Sequence, residues 1–276
     1  MDASGMSETE LSSRRETELS ITYQELETEL NEPIRIVHLT DLHGREFGEA
    51  NQDLVSLVLQ RDPDLSVMTG DMLDKQDESA DVICELIGRL SEIAPVLYGY
   101  GNHEYEWMRE HEENLTPVLT EAGATVLDVA YLDIAVNGQR LRIGGYHGYY
   151  RQPHMYLVTD KQQEAELSFC ESFEDTDQYK ISLSHIPPPW LDWEYIDRYP
   201  VDLVLAGHYH GGQIRLPLID GLYAPYVGLF PEYTEGMFVG EQAACILSVG
   251  LGYSPGIPRI NNLPQIVVVD LVTENT

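Results

Sequence analysis

Short apolar runs separated by amphipathic stretches restrict the fold of this chain more than any other feature of its sequence. The runs are too short for independent helices and are rich in β-branched and aromatic residues, so they predict buried β-strands. The five main runs are IRIVHLT (34–40), LSVMTG (65–70), PVLYGYG (95–101), YKISLSH (179–185) and VDLVLAGH (201–208), and AACILSVG (243–250) and QIVVVDLV (265–272) supply later ones. The stretches between the earlier runs repeat apolar residues three or four positions apart, as helices covering a sheet do: 51–62, 79–93 and 106–123. This alternation predicts an α/β protein.

The polar start of the chain sets the expected domain boundary. Residues 1–20 are polar, charged and free of aromatic side chains, so we expect a leader that is disordered or was introduced by cloning. Residues 21–276 are long enough to bury one large core and are interpreted as a single domain. No segment approaches the roughly 20 consecutive apolar residues that cross a bilayer.

The charge balance excludes some partners. The chain has 16 Lys and Arg residues against 47 Asp and Glu residues, a formal net charge of −31. Such a surface repels nucleic-acid phosphates and anionic membranes, so long nucleic acids are the poorest candidate ligands. The three cysteines are widely spaced and form no C-x-x-C pair, which argues against a disulfide framework or a thiolate zinc site.

Each of the five main strands ends in a polar cluster. The clusters are Asp41 and His43 in TDLHG, Asp71 and Asp74 in GDMLD, Asn102, His103 and Glu104 in GNHE, His185 in SHIP, and His208 and His210 in GHYH. Open α/β sheets bind their ligands at the carboxyl ends of the strands, so these clusters are expected to meet in one crevice. The side chains of the histidine pair, two positions apart in extended chain, point the same way.

The chemistry of these side chains indicates metal binding. Asp, Asn and His without cysteine form a mixed oxygen and nitrogen ligand set, which suits manganese, iron or zinc. So many ligands are sufficient for two metal ions, and a carboxylate is the natural bridge between them. Such a pair holds a bridging hydroxide as nucleophile and neutralises charge on a phosphoryl oxygen.

The order D-x-H, G-D, G-N-H-E, H, G-H-x-H resembles that of the calcineurin-like metallophosphoesterases, and the similarity runs from about Ile34 onward. The resemblance implies two facing mixed β-sheets flanked by helices, with a two-metal centre at one edge of the sandwich. Carried over residue by residue, it assigns Asp41, His43 and His210 to the first metal and Asn102, His185 and His208 to the second, with Asp71 as the bridge. It also implies that His103 faces the substrate, where it stabilises the transition state or protonates the leaving oxygen, and that Asp74 holds its imidazole.

The segment GHYHGGQIRLP with GLGYSPGIPRINNLPQI is similar to a bacterial branch of small phosphodiesterase-like proteins. Members of that branch often carry an N-terminal transmembrane anchor or export signal, whereas this chain has a polar leader. Membrane association is expected only if such a segment was removed, and the localisation stays open.

The function expected from these features is hydrolysis of a small-molecule or lipid phosphoester, most simply a phosphodiester, by a metal-bridging hydroxide. The metal ligands do not distinguish this activity from that of a phosphomonoesterase, including a protein phosphatase. A metal-binding scaffold without turnover is the alternative from another class, and the complete ligand set argues against it.

Further residues near the motifs are weaker candidates for substrate binding. Arg45 could contact a substrate phosphate as a fork donor, or be an exposed loop arginine. His147 follows an apparent strand and could reach the crevice, or be an ordinary loop residue. The Gly- and Pro-rich stretch 211–236 predicts a long loop that returns from the site and could set specificity.

Overall fold

Two six-stranded β-sheets and six α-helices account for most of the chain that the structure describes. This structure is a computed structural model and describes residues 18–146, 160–216, 220–225, 227–253 and 258–273. The strands are β1 Ser20–Thr28, β2 Ile34–Leu39, β3 Leu65–Met68, β4 Val96–Gly99, β5 Ala124–Leu127, β6 Ala130–Val136, β7 Gln139–Gly145, β8 Tyr179–Leu183, β9 Leu203–Ala206, β10 Tyr223–Ala224, β11 Gly228–Leu229, β12 Gly236–Val239, β13 Ala244–Leu247 and β14 Gln265–Thr273. The helices are α1 Gln52–Leu59, α2 Asp81–Ser91, α3 Asn102–His111, α4 Leu115–Glu121, α5 Asp160–Glu174 and α6 Pro188–Leu191.

Both large sheets are mixed. Sheet A has the order β1-β14-β2-β3-β4-β5 and sheet B the order β12-β13-β9-β8-β7-β6. In sheet A the strands β2, β3, β4 and β5 are parallel, and β14 is antiparallel to β2. In sheet B the strands β13, β9, β8 and β7 are parallel, while β12 and β6 are antiparallel edges. A third, two-stranded sheet pairs β10 with β11.

The two large sheets face each other, and helices cover their outer sides. In β2, Ile36 belongs to the core between the sheets and Val37 to the core beneath α1 and α2. In β9, Leu205 faces the other sheet while Val204 packs with the aromatic residues of α5 and α6. Both faces of these strands are buried, which explains why they are continuous apolar runs. The expected fold, two facing mixed β-sheets flanked by helices, is confirmed.

The predicted helices are present, but one of them is divided. The stretch 106–123, interpreted as one amphipathic helix, forms parts of α3 and α4. Helix α3 ends at His111, because the next residue, Glu112, has a left-handed φ of 53°. The Asn114 side chain caps α4 by accepting a hydrogen bond from Thr116 N. None of the described helices is long and apolar enough to cross a membrane.

Two expectations concern the first residues and the long loop. Strand β1 begins at Ser20, and residues 1–17 of the predicted leader lie outside the described residues.

Within the stretch 211–236, which the sequence predicts to be a loop, strands β10 and β11 pair with each other. A two-residue strand is too short to produce the alternating pattern by which strands are predicted.

Candidate metal centre

The loops that follow five strands converge where sheets A and B meet. Strands β2, β3 and β4 of sheet A supply one half of the site, and β8 and β9 of sheet B supply the other. Three clusters result, and within each the ligand atoms lie within 4.8 Å of one another: Asp41, His43 and His210; His43, Asp71 and His103; and Asp71, His185 and His208. The carboxylate of Asp71 is shared by two clusters, the property required of a bridging ligand.

The backbone of these loops is strained. Five of the residues adopt left-handed conformations, which are uncommon for residues other than glycine: Asp41 (φ 54°), His43 (51°), Asp71 (51°), His208 (70°) and His210 (49°). The loops are held by hydrogen bonds to one another, because Asp41 N donates to Gly70 O and His43 N donates to Asp71 O, both at 3.0 Å. Such strain persists where the surrounding structure over-determines the conformation, as it does at functional sites.

Glycines allow the backbone to approach the two carboxylates closely. A Cβ atom on Gly207 would overlap the carboxylate of Asp41, and one on Gly101 would overlap that of Asp71. Both glycines end a strand in one of the predicted motifs. The glycines of G-H-x-H and G-N-H-E are therefore required for space beside the carboxylates.

The two buried carboxylates have different surroundings. Asp41 accepts hydrogen bonds from Thr40 Oγ1 at 2.9 Å and from His208 N at 3.0 Å to each oxygen. Burial, and to a lesser degree the charge of Asp71, raises the pKa of Asp41. Burial also opposes ionisation of Asp71, but His185, whose Nε2 lies 3.0 Å from Asp71 Oδ2, holds the pKa of Asp71 well below its usual value. A cation beside both carboxylates stabilises their charged forms together.

The histidine rings present specific nitrogen atoms to the site. His185 Nδ1 lies 2.8 Å from Thr69 O and donates to it, which leaves Nε2 facing Asp71. Burial lowers the pKa of His185, but Asp71 raises it to about 9, so a metal ion that binds there displaces a proton. For His208 and His210, burial lowers the pKa well below the usual value, and both rings are neutral, the form that binds metal.

Two buried atoms indicate that these residues fit a metal ion. Asn102 Oδ1 and His43 Nε2 are buried and have no hydrogen-bond partner among the residues that the structure describes. A buried polar atom without a partner costs about 1–3 kcal/mol, and coordination to a cation would remove that cost. Both atoms belong to the predicted ligand set, and the set of oxygen and nitrogen donors suits manganese, iron or zinc.

Asp74 contacts two imidazoles rather than one. Its Oδ2 atom lies 3.5 Å from Nδ1 of His103, the predicted partner, and 3.5 Å from Nδ1 of His43. The neighbouring His43 imidazole lowers the pKa of Asp74. His103 Nδ1 also accepts a hydrogen bond from Lys75 N at 3.3 Å, so its proton is on Nε2. Asp74 is placed to orient a predicted ligand and the predicted substrate-facing histidine together.

Glu104 has a role that sequence reasoning missed. The sequence presents it only as the last residue of the GNHE cluster, but its side chain is fully buried. Oε2 accepts hydrogen bonds from Asp71 N and Gly101 N, both at 2.8 Å, and Oε1 accepts from Met72 N at 2.9 Å and Tyr98 OH at 2.7 Å. Glu104 therefore ties the loop after β3 to the loop after β4. The only signal in the sequence is its place beside His103.

The weaker substrate-binding candidates are placed differently. The Arg45 guanidinium lies 4.9 Å from the ring centroid of Phe47 and 5.7 Å from that of Tyr253, in cation–π geometry. Contact of Arg45 with a substrate phosphate stays a prediction. His147 lies outside the described residues.

The fold and this cluster of side chains define an α/β sandwich with a candidate metal centre at the junction of its two sheets. The family model of the calcineurin-like phosphoesterases matches residues 34–212. The chain belongs to this family, whose members are metal-dependent hydrolases of phosphoester bonds. The family uses two metal ions, and the Asp and His clusters described above could bind them.

Relatives of known name share most of the chain's length. Phosphodiesterase YaeI of Escherichia coli strain K12 is 27% identical over 87% of this chain and 83% of its own. The uncharacterised metallophosphoesterase YkuE of Bacillus subtilis strain 168 is 28% identical over 87% of this chain and 80% of its own. Among solved structures, the 5'-nucleotidase precursor of Thermus thermophilus aligns with a TM-score of 0.50 at 15% identity. The alignment covers 87% of this chain and 54% of the nucleotidase precursor. This likeness supports the fold alone.

Proposed function

We propose that the chain hydrolyses phosphodiesters at two metal ions held by the residues that the sequence predicts. Asp41, His43 and His210 hold one ion, Asn102, His185 and His208 hold the other, and Asp71 bridges them. The observation that carries the proposal is that the Asp71 carboxylate lies in one cluster with His43, a proposed ligand of the first ion, and in another with His185 and His208, proposed ligands of the second. A pair of metal ions supplies a hydroxide nucleophile and neutralises charge on the phosphoryl oxygens.

His103 and Asp74, beside the proposed metal ligands, would protonate the leaving group and support that proton transfer. The imidazolium form of His103 would pass the proton on Nε2 to the leaving oxygen, and the ring would then be neutral, with Nδ1 accepting from Lys75 N at 3.3 Å. Asp74, 3.5 Å from the same Nδ1, stabilises the ring when it carries positive charge. His103 N donates to Asp71 Oδ1 at 2.8 Å, which couples the position of this histidine to that of the bridge.

The preference for diesters is supported by the relative YaeI, which is named a phosphodiesterase. A phosphomonoesterase would use the same ligands, so the proposal is tested with both ester classes. We would measure the rates of the manganese-loaded protein on bis(p-nitrophenyl) phosphate and p-nitrophenyl phosphate, with a chelator-treated sample as the control. Faster hydrolysis of the diester that depends on metal is the expected result. Faster hydrolysis of the monoester would overturn the diester assignment, and no metal-dependent hydrolysis of either would favour a scaffold.

The bridge is tested separately by metal content. Asp71→Asn keeps the size of the side chain and removes the charge that both ions share, so both sites should lose affinity together. Equilibrium dialysis with manganese measures the number of ions bound per chain. Retention of one ion at the affinity of the unsubstituted protein would contradict a bridging role for Asp71.

A further inference from the structure

An uncharged hairpin is attached to the loop that carries the predicted ligands His208 and His210. Residues 221–225 and 227–231, here called the apolar hairpin, include β10 and β11, which pair with each other and with neither large sheet. Its large apolar side chains are exposed: Leu229 keeps 67% of its surface in solvent and Phe230 keeps 60%, and Tyr223 and Val227 are exposed as well. Contiguous exposed apolar side chains of this kind mark interaction sites in soluble proteins.

The composition of the apolar hairpin differs from that of the rest of the chain. From Gly221 to Pro231 the sequence GLYAPYVGLFP contains no Asp, Glu, Lys, Arg or His, although the whole chain has 47 acidic and 16 basic residues. This segment can therefore leave water without burying a charge, and it carries none of the acidity that repels the rest of the surface from a membrane.

The apolar hairpin is joined directly to the loop that carries the predicted ligands. Leu222 N lies 3.2 Å from Gly212 O and 3.0 Å from Ile214 O, and donates to both. Gly212 has a φ of 74° and approaches Gly221 too closely for a Cβ atom on either residue. Since Gly212 is two positions from His210, the hairpin has a fixed position relative to the metal centre.

A second segment with exposed apolar side chains is attached to the same loop. Ile260 and Leu263 are exposed, and Ile260 forms a β-bridge with Ile214. Between them, Asn262 Nδ2 donates to His210 O at 2.6 Å. The apolar hairpin and residues 260–263 are thus both anchored to the histidine loop, and together they are here called the apolar border of the site.

We propose that this border docks the site on a neutral lipid surface and that the substrate is an amphiphilic phosphoester whose chains lie in that surface. The proposal rests on the proposed function and adds the class of substrate. Exposed Leu and Phe side chains in an uncharged segment enter the acyl boundary as the apolar faces of interfacial proteins do. The net charge of −31 disfavours anionic lipids, so the surface it fits is zwitterionic or uncharged.

Vesicle binding tests the docking surface without turnover. The unsubstituted full chain and a double variant, Leu229→Ser with Phe230→Ser, would each be sedimented with phosphatidylcholine vesicles. The double variant should bind about 100-fold more weakly, because two large side chains no longer leave water. No binding by the unsubstituted chain, or equal binding by the double variant, would overturn the proposal.

The matched control is Val239→Ser. Val239 keeps 69% of its surface exposed, as Leu229 does, but it lies on the edge strand β12. It pairs with Ala244, which pairs with Leu203 at the start of β9, whereas His208 follows the end of β9. Val239 is therefore at the opposite end of the sheet from the metal centre, and Val239→Ser should bind vesicles like the unsubstituted chain. An equal loss in this variant would show non-specific adhesion and overturn the proposal.

Turnover separates this inference from the proposed function. The rates on bis(p-nitrophenyl) phosphate in solution and on p-nitrophenyl hexadecyl phosphate in phosphatidylcholine vesicles would be measured for each variant. The double variant should keep the first rate and lose about 100-fold in kcat/KM on the second. Equal losses on both esters, or a dimer that dissociates in the double variant, would contradict a lipid surface as the occupant. Metal-dependent hydrolysis of the soluble ester without hydrolysis of the vesicle-bound ester would support the proposed function and contradict the inference of a lipid substrate.

Discussion

Replacing Glu104 by glutamine should destabilise the protein by about 3 kcal/mol. The carboxylate accepts four hydrogen bonds, from Asp71 N, Met72 N, Gly101 N and Tyr98 OH, at 2.7–2.9 Å in a fully buried site. An amide has one acceptor oxygen, so its NH2 group must face two of these donors. The least unfavourable orientation turns the NH2 group toward Tyr98, whose hydroxyl can rotate to accept.

In that orientation Met72 N faces another donor. A buried N–H without an acceptor costs about 1–3 kcal/mol, and loss of the negative charge weakens the remaining bonds by roughly 1 kcal/mol in total. Urea unfolding of chelator-treated protein, followed by tryptophan fluorescence, measures the difference without any contribution from metal binding. Because the loop that carries Asp71 is also released, manganese affinity should fall in the same variant.

Glu110→Gln is the matched control on the same helix. Glu110 is exposed, so this change should alter the free energy of unfolding by less than about 0.5 kcal/mol. A loss below about 1 kcal/mol in Glu104→Gln, with an unchanged urea dependence, would refute the account of the buried carboxylate.

Three further predictions concern the same region. Gly207→Ala places a methyl group against the Asp41 carboxylate and should weaken manganese binding about 10-fold by equilibrium dialysis, whereas Gly88→Ala, in a helix with free space, should leave it unchanged. Burial, and to a lesser degree the charge of His185, lowers the pKa of His38 to about 3. Below pH 6.5 the unfolded chain therefore binds a proton on His38 that the folded chain does not bind, and the free energy of unfolding decreases as the pH falls. Urea unfolding at pH 7 and pH 5 should therefore show about 2 kcal/mol less acid destabilisation for His38→Gln than for the unsubstituted chain. Asp74→Asn should lower kcat about 100-fold and manganese affinity about 10-fold, since its oxygen serves two imidazoles.

Each of these has a contradicting outcome. Unchanged manganese affinity in Gly207→Ala would show that the Asp41 carboxylate does not require its present position. Equal acid sensitivity of His38→Gln and the unsubstituted chain would show that other groups dominate the pH dependence. A fall in kcat with unchanged metal affinity in Asp74→Asn would limit Asp74 to the substrate-facing histidine.

The strands and their polar ends could be predicted because burial on both faces leaves a distinctive sequence. Strand β9 has apolar residues on both faces, and its run ends at the glycine that precedes His208. The convergence of the clusters followed from the rule that parallel strands present their carboxyl ends together. The resemblance to the family added the two-sheet architecture, which the alternation of runs alone did not specify.

The parts that were missed depend on contacts between distant segments. The role of Glu104 follows from the adjacency of β3 and β4, which places Asp71 N within reach of its carboxylate. The second imidazole at Asp74 likewise depends on how β2 lies beside β3. Strand β1 alternates partly buried and exposed residues and is polar, so neither face has the apolar pattern of a core strand. Pairing with β14, rather than its own composition, accounts for its extended form.

That pairing determines the order in which the molecule can be built. Strand β14 lies between β1 and β2, and Ser20 Oγ donates to Pro264 O across 244 positions of the chain. During translation β2 emerges early, and the edge of β2 that pairs with β14 stays unpaired until residues 265–273 emerge. Closing the large loop between β2 and β14 is slow. The residues after β2 include Asp41, whose backbone oxygen accepts a hydrogen bond from Gly252 N at 2.5 Å. The nascent chain therefore exposes an unpaired strand edge to aggregation until these residues are translated, and its centre is assembled only after that.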